Sequence, residues 1–425
     1  MKTLRKIIAL ALVVLLLAGL TALPAFASEE AGAVTVGSAA ENAGAITVSL
    51  RIEGIRAPLY YNKEVTLEAG ASVEDLLVLI GHTDGAPDIV IGGSELGAYV
   101  SGIDGLKEGE YGELSGWFYY VNGIDPFRSI SLYELNDGDE VVCFYGDKFG
   151  VGMQFPYADL SKLYSNGTIL FLSVDEEYDD DWNMSLVLNP VAGADVLFNG
   201  INYLTNENGG IYIEDKAGMA GLQRVQIEKN DEKSGVPKVL RFAPDHEIYV
   251  PFADTPDGVW FEIPVEFSVL MGFFRGADSA RNLFLPGNYM TIAQLVTVLG
   301  RIAGADVDAP SDPWYAVARD WALDNGIITE WWFESGAGAS VTREQFIYLF
   351  YLTAALAGSY DMDLESDITI ATDFEDISAD YYESISWAVA SGIIHGMAED
   401  ALTINPGEKI TRAQVCQMLF NYYYS

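Results

Sequence analysis

Two arginines stand at positions that helix stability does not favour. The sequence reads Thr-Arg-Glu-Gln at 342–345 and Thr-Arg-Ala-Gln at 411–414, each ahead of an apolar run with helical spacing. Thr followed three residues later by Gln is a capping pattern, in which the hydroxyl accepts from the third amide and the Gln side chain reaches back. A cation in the first turn opposes the helix dipole, at roughly 0.3–1 kcal/mol. Capping therefore leaves Arg343 and Arg412 unexplained.

The chemistry that these two side chains offer is anion binding. A guanidinium group is a planar fork that matches carboxylate or phosphate oxygens, and the free amides of a helix N-terminus add donors. The chain has only 23 Lys and Arg against 62 Asp and Glu, for a formal net charge of −39. In so acidic a chain, the placement of two cations at matching positions indicates a function.

The helix start belongs to a repeated unit. A third copy, Thr-Ile-Ala-Gln at 291–294, lacks the arginine. The other two copies share an upstream block, Trp-Ala followed by Gly-Ile-Ile, at 321–328 and 387–394, with the same spacing. One supersecondary unit repeated in this way predicts a helical array over about 266–425. At the C-terminus of an exported chain, such an array favours an attachment module over a catalyst.

These motifs resemble the S-layer homology family. The third copy matches best, with Phe-Glu-Asp at 374–376, Trp-Ala at 387–388, Gly-Ile-Ile at 392–394 and Thr-Arg-Ala-Gln at 411–414. The resemblance implies an all-α bundle of three modules with pseudo-threefold symmetry. Repeat 1 (266–305) is degenerate with a reduced first half, and repeats 2 (306–357) and 3 (370–425) follow.

The same resemblance implies a ligand. In this family the grooves hold an anionic secondary cell-wall polysaccharide, often with a pyruvylated sugar, in Gram-positive-type envelopes. Carried over by position, polymer binding falls on Arg343 and Arg412, at the starts capped by Thr342 and Thr411. Repeat 1 has Ile292 at the arginine position, so its groove is expected to be weak or silent.

The segment 45–150 predicts an α+β domain. Alternating residues indicate strands over 46–52, 116–121 and 141–145, and a Ser-Val-Glu-Asp start at 72–75 caps a helix. Asn-Gly and Asp-Gly pairs between the apolar runs are typical of tight turns.

Three stretches of this domain, 72–77, 116–123 and 135–141, resemble the transcobalamin C-terminal-like family, which implies a β-grasp-like fold. In vertebrate vitamin carriers this domain helps to enclose a corrinoid, and most bacterial members have no assigned function. Two interpretations apply to the aromatic residues Trp117, Tyr119 and Tyr120. Aromatic residues at period 2 usually pack a sheet face, and the alternative is a platform for a small ligand.

The segment 155–265 predicts an all-β sandwich, because alternating strands are separated by Asn-Gly turns such as the one at 199–200. It is similar to immunoglobulin-like and carboxypeptidase-regulatory-like surface modules. Its expected role is to space or stiffen the chain.

The N-terminus predicts export. A basic start with Lys2, Arg5 and Lys6 precedes an apolar run over 7–20 and Ala-Phe-Ala at 25–27, the pattern of a signal peptide ending at residue 27. Residues 28–44 are expected to form a linker. The mature protein is expected to be secreted without inserting in a membrane.

Several function classes are not expected. The acidic balance disfavours nucleic acid and anionic lipid as partners. His82, His246 and His395 fall in three predicted domains, so neither a metal site, a cofactor nor a His-based catalytic triad is predicted, although a paired-carboxylate glycosidase stays open. Acidic runs at 175–181 and 361–367 lack the pattern of a calcium loop, and a solvated turn is expected for the first. Cys143 and Cys416 are expected to be unpaired core thiols.

The sequence thus predicts a multidomain protein of the cell wall or S-layer surface that is not an enzyme. Its repeats anchor it non-covalently to the wall polymer, and a β-grasp-like domain and a β-sandwich are displayed. The alternative is a surface capture protein that binds a corrinoid or another small ligand through the first domain.

Overall fold

The computed structural model describes residues 44–178, 184–358, 362–394 and 402–424. The predicted signal peptide, nearly all of the linker, His395 and parts of both acidic runs lie outside these residues. The chain forms two compact units. The first contains the described residues up to 213 together with 224–246, and the second contains 214–223 and the residues from 247 onwards. No helix in the described ranges has the length and apolar character that crossing a bilayer requires.

The first domain is built from seven strands and one helix. They are β1 Ala45–Glu53, β2 Pro58–Glu68, α1 Val73–Gly81, β3 Ile89–Ser94, β4 Gly97–Ile103, β5 Leu106–Lys107, β6 Gly116–Val121 and β7 Glu140–Gly146. The main sheet has the order β2-β1-β7-β6, with β1 and β7 parallel and the outer pairs antiparallel. A second sheet has the order β3-β4-β5.

Local sequence explains these elements. The apolar side chains of β1 and β7, such as Leu50 and Val141, alternate onto one face and are fully buried with Leu76 of α1. Ser72 caps α1, because its hydroxyl accepts from the amide of Asp75 while that carboxylate accepts from the amide of Ser72. The predicted strands and capped helix are confirmed.

The next segment consists of short strands and one helical turn. They are β8 Pro156–Asp159, α2 Leu163–Asn166, β9 Thr168–Tyr178, β10 Met184–Pro190, β11 Asp195–Phe198, β12 Ile201–Leu204, β13 Gly210–Tyr212, β14 Gly221–Glu228 and β15 Glu247–Val250. One sheet has the order β10-β9-β13, with β8 also paired to β9, and in another β11 lies between β12 and β14. The predicted Asn199-Gly200 turn joins β11 to β12, and both of its residues have positive φ. The segment is rich in β-strand, and its assignment as a sandwich stays a prediction.

The first acidic run differs from its predicted form. Its first four residues, 175–178, end strand β9 and pair with β10, and are not a turn. The carboxylate of Asp175 accepts from the hydroxyl of Ser173 at 2.6 Å and from the amide of Asn189 at 2.8 Å. These local hydrogen bonds allow the carboxylate to be accommodated within the sheet. A run of acidic residues in the sequence does not reveal such bonds.

A buried ion network joins the first domain to the segment that follows it. The carboxylate of Glu53 accepts from Arg51 and from Arg241, each at 2.9 Å, and Arg241 also donates to the carbonyls of Gly54 and Ile55. Removing one partner of such a network leaves an uncompensated buried charge. The two segments therefore form one unit.

The C-terminal region is helical. Its helices are α3 Glu262–Leu270, α4 Ile292–Ile302, α5 Ala316–Asp324, α6 Arg343–Ala357, α7 Tyr382–Ala390 and α8 Arg412–Tyr424, and short 3-10 helices occupy Glu330–Phe333, Ile368–Ile370, Phe374–Asp376 and Ala379–Tyr381. They follow one pattern, in which a nine-residue helix (α3, α5 or α7) precedes a longer helix that starts at a Thr cap.

Repeat 1 has a full first half, contrary to the expectation of a reduced one. Helix α3 has the same length as its counterparts and spans the expected boundary between 265 and 266. Its sequence lacks the Trp-Ala pair, and Gly-Phe-Phe at 272–274 replaces Gly-Ile-Ile. Phe274 is buried, so an apolar side chain still packs at this position although phenylalanine replaces isoleucine.

A closed ring of backbone hydrogen bonds joins the three repeats. Met290, Val341 and Ile410 each precede a capping Thr, and all three are buried. The amide of Met290 donates to the carbonyl of Ile410, the amide of Ile410 to Val341, and the amide of Val341 to Met290, at 2.9–3.0 Å. The three helix starts therefore meet around a pseudo-threefold axis, as expected.

Both cysteines are free and buried, as predicted. Cys143 lies in β7 and Cys416 in α8, and burial raises the pKa of both thiols to about 12.

The loop before α8 gives a test of the repeat geometry. Asn405 has φ of 54°, in the left-handed region that Asn and Gly tolerate. We expect Asn405→Val to lower the free energy of unfolding by about 1–2 kcal/mol, because a β-branched residue is strained there. The matched variant Asn405→Gly should change it by less than about 0.5 kcal/mol. Urea unfolding followed by circular dichroism checks this, and equal stability of the two variants would contradict the geometry.

Candidate functional site

The three Thr-x-x-Gln sequences form capping boxes. Each Thr hydroxyl accepts from the amide of its Gln at 3.3 Å, and each Gln side chain accepts from the amide of its Thr at 2.9–3.2 Å. Thr342 and Thr411 thus have a structural role whether or not they also contact a ligand. Capping, the simpler explanation for Thr and Gln, is confirmed in all three copies.

The first amides of the three helices are already paired, unlike the free donors that were expected. Each start is covered by a loop of another repeat: 284–288 covers α8, 335–339 covers α4 and 404–408 covers α6. The bonds are Arg412 to Asn288, Ala413 to Pro286, Ile292 to Ala339, Ala293 to Ala337, Arg343 to Glu408 and Glu344 to Pro406, at 2.9–3.1 Å. Since these amides are occupied, any anion must be met mainly by side chains.

Arg343 is 6 % exposed, and its Nε donates to the carbonyl of Ile404 at 2.7 Å. Burial lowers the pKa of Arg343, and the carboxylates of Glu408 and Asp373 act in the opposite direction. Among the described residues, no acceptor pairs with its two terminal nitrogens. Within the described part of the chain, the guanidinium is therefore anchored through its Nε–H alone.

Arg412 is equally buried and more firmly held. Its Nε donates to the carbonyl of Phe284 and one terminal nitrogen to the carbonyl of Arg275, both at 2.8 Å. The guanidinium lies over the ring of Phe284, 4.4 Å from the centroid, and over Phe274 at 5.2 Å. Burial is again the main cause that lowers the pKa of Arg412. Neither Arg412 nor Arg343 forms a salt bridge with a described residue; backbone carbonyls hold both.

Two aspartates that the sequence analysis missed support these arginines. Asp373 accepts from the amides of Ile404 and Asn405, and Asp254 accepts from the amides of Phe284 and Leu285, at 2.6–3.0 Å. Each aspartate fixes the loop whose carbonyl holds an arginine. Their position in the repeat could have identified these aspartates, because Asp254 and Asp373 each precede a nine-residue helix by a similar number of residues. The Phe-Glu-Asp motif points to Asp376 instead.

The start of α4 has no such chemistry. Ile292 is buried where the other copies have arginine. Its loop, 335–339, consists of Ser, Gly and Ala. The three starts share a backbone arrangement, and two of them carry a cation.

The aromatic stripe of the first domain divides between two faces of β6. Trp117 and Tyr119 line an open cleft of about 590 Å³, and Tyr120 does not. The ring of Tyr120 stacks on Phe155 at 4.5 Å and is buried with Phe144. Tyr120 is therefore a packing residue at the junction with the next segment, while Trp117 and Tyr119 line the cleft.

The cleft combines apolar and polar groups. Trp117 donates to the carbonyl of Leu106 and the hydroxyl of Tyr119 to that of Arg128, at 2.9 and 2.8 Å, which fixes both rings. Burial raises the pKa of Tyr119 to about 12. The remaining lining residues are Ser94, Leu96, Gly97, Ala98, Tyr99, Val100, Phe118, Asp125, Phe127, Arg128, Ser129, Ile130 and Leu132.

Comparison with known proteins identifies two domains. The family model of the S-layer homology domain matches residues 372–416, and that of a domain of unknown function, DUF4430, matches residues 81–147. The chain therefore carries an S-layer homology domain in its third repeat. Both resemblances drawn from the sequence are confirmed.

Two solved structures are similar to part of the chain. Haptocorrin in complex with Cbi aligns with 14 % identity and a TM-score of 0.23, over 26 % of this chain and 27 % of that one. A putative metal binding protein from Ruminococcus gnavus aligns with 12 % identity and a TM-score of 0.19, over 24 % of this chain and 97 % of that one. These TM-scores are too low to support any argument about this chain. No curated protein matches it.

The contacts of Arg412 predict a large effect on stability. We expect Arg412→Ala to lower the free energy of unfolding by about 2–4 kcal/mol, because the buried carbonyl of Phe284 and the partly buried carbonyl of Arg275 lose a charged donor and the rings of Phe274 and Phe284 lose a neighbour. The control Arg281→Ala removes an exposed arginine and should change stability by less than about 0.5 kcal/mol. Denaturant unfolding measures both. Similar midpoints for the two variants would contradict a structural role for Arg412.

Proposed function

We propose that this protein is secreted and held non-covalently at the cell wall by its C-terminal repeats, which bind an anionic secondary cell-wall polysaccharide. The observation that carries the proposal is the pair of buried arginines, Arg343 and Arg412, at equivalent helix starts in a region with an S-layer homology domain. Such a domain indicates association with the cell surface. The polymer, its charge and the residues that meet it are the proposed part.

The chemistry of the two starts supports an acidic glycan. Each guanidinium is fixed by a carbonyl through Nε, so little side-chain entropy is lost when a ligand binds. A carboxylate, such as that of a pyruvylated sugar, would pair with the remaining N–H groups in partly desolvated surroundings, where charge-assisted hydrogen bonds are strong. Two such sites on one bundle would bind successive units of a polymer, which raises the overall affinity.

The net charge restricts how this binding can work. A chain with a formal charge of −39 is repelled by an acidic polymer at long range. Attachment must therefore come from local contacts at the two arginines and not from a general basic surface. We infer a display protein and not an enzyme: the repeats attach it, and a β-grasp-like domain and a β-sandwich are displayed.

The cleft of the first domain favours a second candidate function, the capture of a small ligand at the surface. It places the aromatic rings of Trp117 and Tyr119 beside the exposed apolar side chains of Leu96 and Leu132. An open cleft with aromatic walls and a few polar groups suits a flat ligand with apolar faces. A corrinoid is the ligand that the family resemblance offers, and capture is compatible with anchoring because it uses another domain.

Polymer dependence tests the anchoring proposal. Replacing both arginines would confuse binding with folding, since both are buried, so the wall is varied and not the protein. We expect the purified protein to sediment with isolated polymer-bearing walls and to stay in the supernatant with walls stripped of polymer by acid extraction. Soluble extracted polymer should compete. Equal sedimentation with stripped walls would reject the proposal.

Exposed leucines test the cleft. Leu96 and Leu132 are 85 % and 64 % exposed, so Leu96→Ser and Leu132→Ser should leave the fold intact. With cobalamin as the probe in equilibrium dialysis, we expect each to weaken binding by about tenfold, through the loss of apolar contact. The matched control Leu114→Ser, 56 % exposed and outside the cleft lining, should bind as the parent does. Absence of cobalamin binding by the parent protein would exclude a corrinoid.

A further inference from the structure

We propose that the two arginine-bearing helix starts are unequal, and that the start of α8 holds the anionic polymer. In this proposal Arg275 adds a second cation to Arg412, whereas Glu408 makes the start of α6 a poor site for an anion. The inference rests on the proposed function and specifies which groove performs it.

The two grooves share a backbone, which makes their side chains comparable. Loop 284–288 covers α8 and loop 404–408 covers α6, with the same hydrogen bonds to the first two amides of the helix. Leu285 and Asn405 have matching positive φ values of 59° and 54°. Each loop position can therefore be compared directly with its counterpart.

The first difference lies at the end of the loops. The carbonyls of Asn288 and Glu408 accept from the amides of Arg412 and Arg343, so the two side chains occupy equivalent exposed positions. Asn288 is neutral. The carboxylate of Glu408 acts to raise the pKa of Arg343, because a negative charge near the guanidinium stabilises its charged form. An incoming carboxylate would meet repulsion from Glu408 at α6 and not at α8.

The second difference is Arg275, whose carbonyl accepts from Arg412. Its own side chain is 67 % exposed and reaches Asp308 at 2.8 Å. In the third repeat, the residue after Gly-Ile-Ile is His395, outside the described residues. The loop that holds Arg412 thus includes a residue with a permanently charged, accessible side chain, and the matching sequence position in repeat 3 is a histidine.

The third difference is Arg301 in the last turn of α4. It donates to the carbonyl of Phe273 at 3.1 Å and pairs with Asp308 at 2.7 Å. Asn421 of α8 makes the equivalent bond to the carbonyl of Ile393 at 3.2 Å. A cation in one groove is therefore matched by a neutral amide in the other.

The balance of described charges differs as a result. Around the start of α8, Arg275 and Arg301 pair with Asp308, and the carboxylate of Asp254 acts on Arg412. At the start of α6, the carboxylates of Asp373 and Glu408 act on Arg343, and Lys409 pairs with Thr342 through the backbone. A carboxylate ligand is favoured at the first start over the second, and the low dielectric around the buried arginines strengthens the difference.

Exposed side chains allow a test that leaves both buried arginines in place. The full protein is titrated against isolated polymer-bearing walls in a sedimentation assay. We expect Arg275→Gln to weaken binding by about tenfold, because it removes the added cation. Asn288→Glu should weaken binding by a similar factor, because it places a carboxylate at the position that Glu408 occupies in the weaker groove. Glu408→Asn should bind at least as tightly as the parent protein.

The matched control is Arg281→Gln. Arg281 also lies in repeat 1, is 71 % exposed and pairs with Asp278, so it reports any general effect of losing a positive charge. It should bind as the parent does, and melting curves of each variant confirm that the fold is kept.

The failures can be told apart. A parent protein that ignores the polymer rejects the anchoring function itself. Normal binding by Arg275→Gln and Asn288→Glu, or an equal loss in Arg281→Gln, overturns the inequality while anchoring stands. Weaker binding by Glu408→Asn also overturns it, because the α6 groove would then depend on its acid.

Discussion

The ring of hydrogen bonds among Met290, Val341 and Ile410 is the constraint on which the helical region depends. Each repeat contributes one donor and one acceptor, so the ring is complete only with all three. Because each residue precedes a capping Thr, the ring also fixes where the three long helices begin. A single repeat cannot bury its hydrophobic face alone. The array therefore gains its stability from the interfaces between neighbouring repeats.

The ring brings each helix start under a loop of another repeat, and this decides what arginine does there. The carbonyls of Ile404 and Phe284 would be buried acceptors without a partner, which is costly. Arg343 and Arg412 donate to them. The unfavourable position relative to the helix dipole is thereby offset by charged hydrogen bonds. The same fixed geometry would favour a bound anion, so structural and binding roles are compatible in one side chain.

Local features could be predicted from the sequence, whereas features that depend on distant residues could not. The capping boxes, the helix after Ser72, the strands of the first domain and the two free thiols follow from short patterns and were correct. The burial of the arginines, the pairing of the first amides and the roles of Asp254 and Asp373 arise from loops far away in sequence. Tyr120 shows the same limit, because its packing partner, Phe155, belongs to the next segment.

The first half of repeat 1 shows that a repeat can keep its structure when its sequence motif has changed. Phe273 and Phe274 replace isoleucines, yet the carbonyl of Phe273 is held by Arg301 as that of Ile393 is held by Asn421. Backbone geometry is retained while charge is altered. The three grooves therefore combine one scaffold with different electrostatics, from the apolar start at Ile292 to the cationic one at Arg412.

Hydrogen–deuterium exchange with soluble wall polymer can locate polymer binding without altering a buried residue. If the polymer binds at Arg412, exchange slows in segments 273–276 and 284–288, which surround this residue, and does not change in the first domain. Unchanged exchange throughout the helical region at saturating polymer, or protection confined to other surfaces, would contradict binding at Arg412.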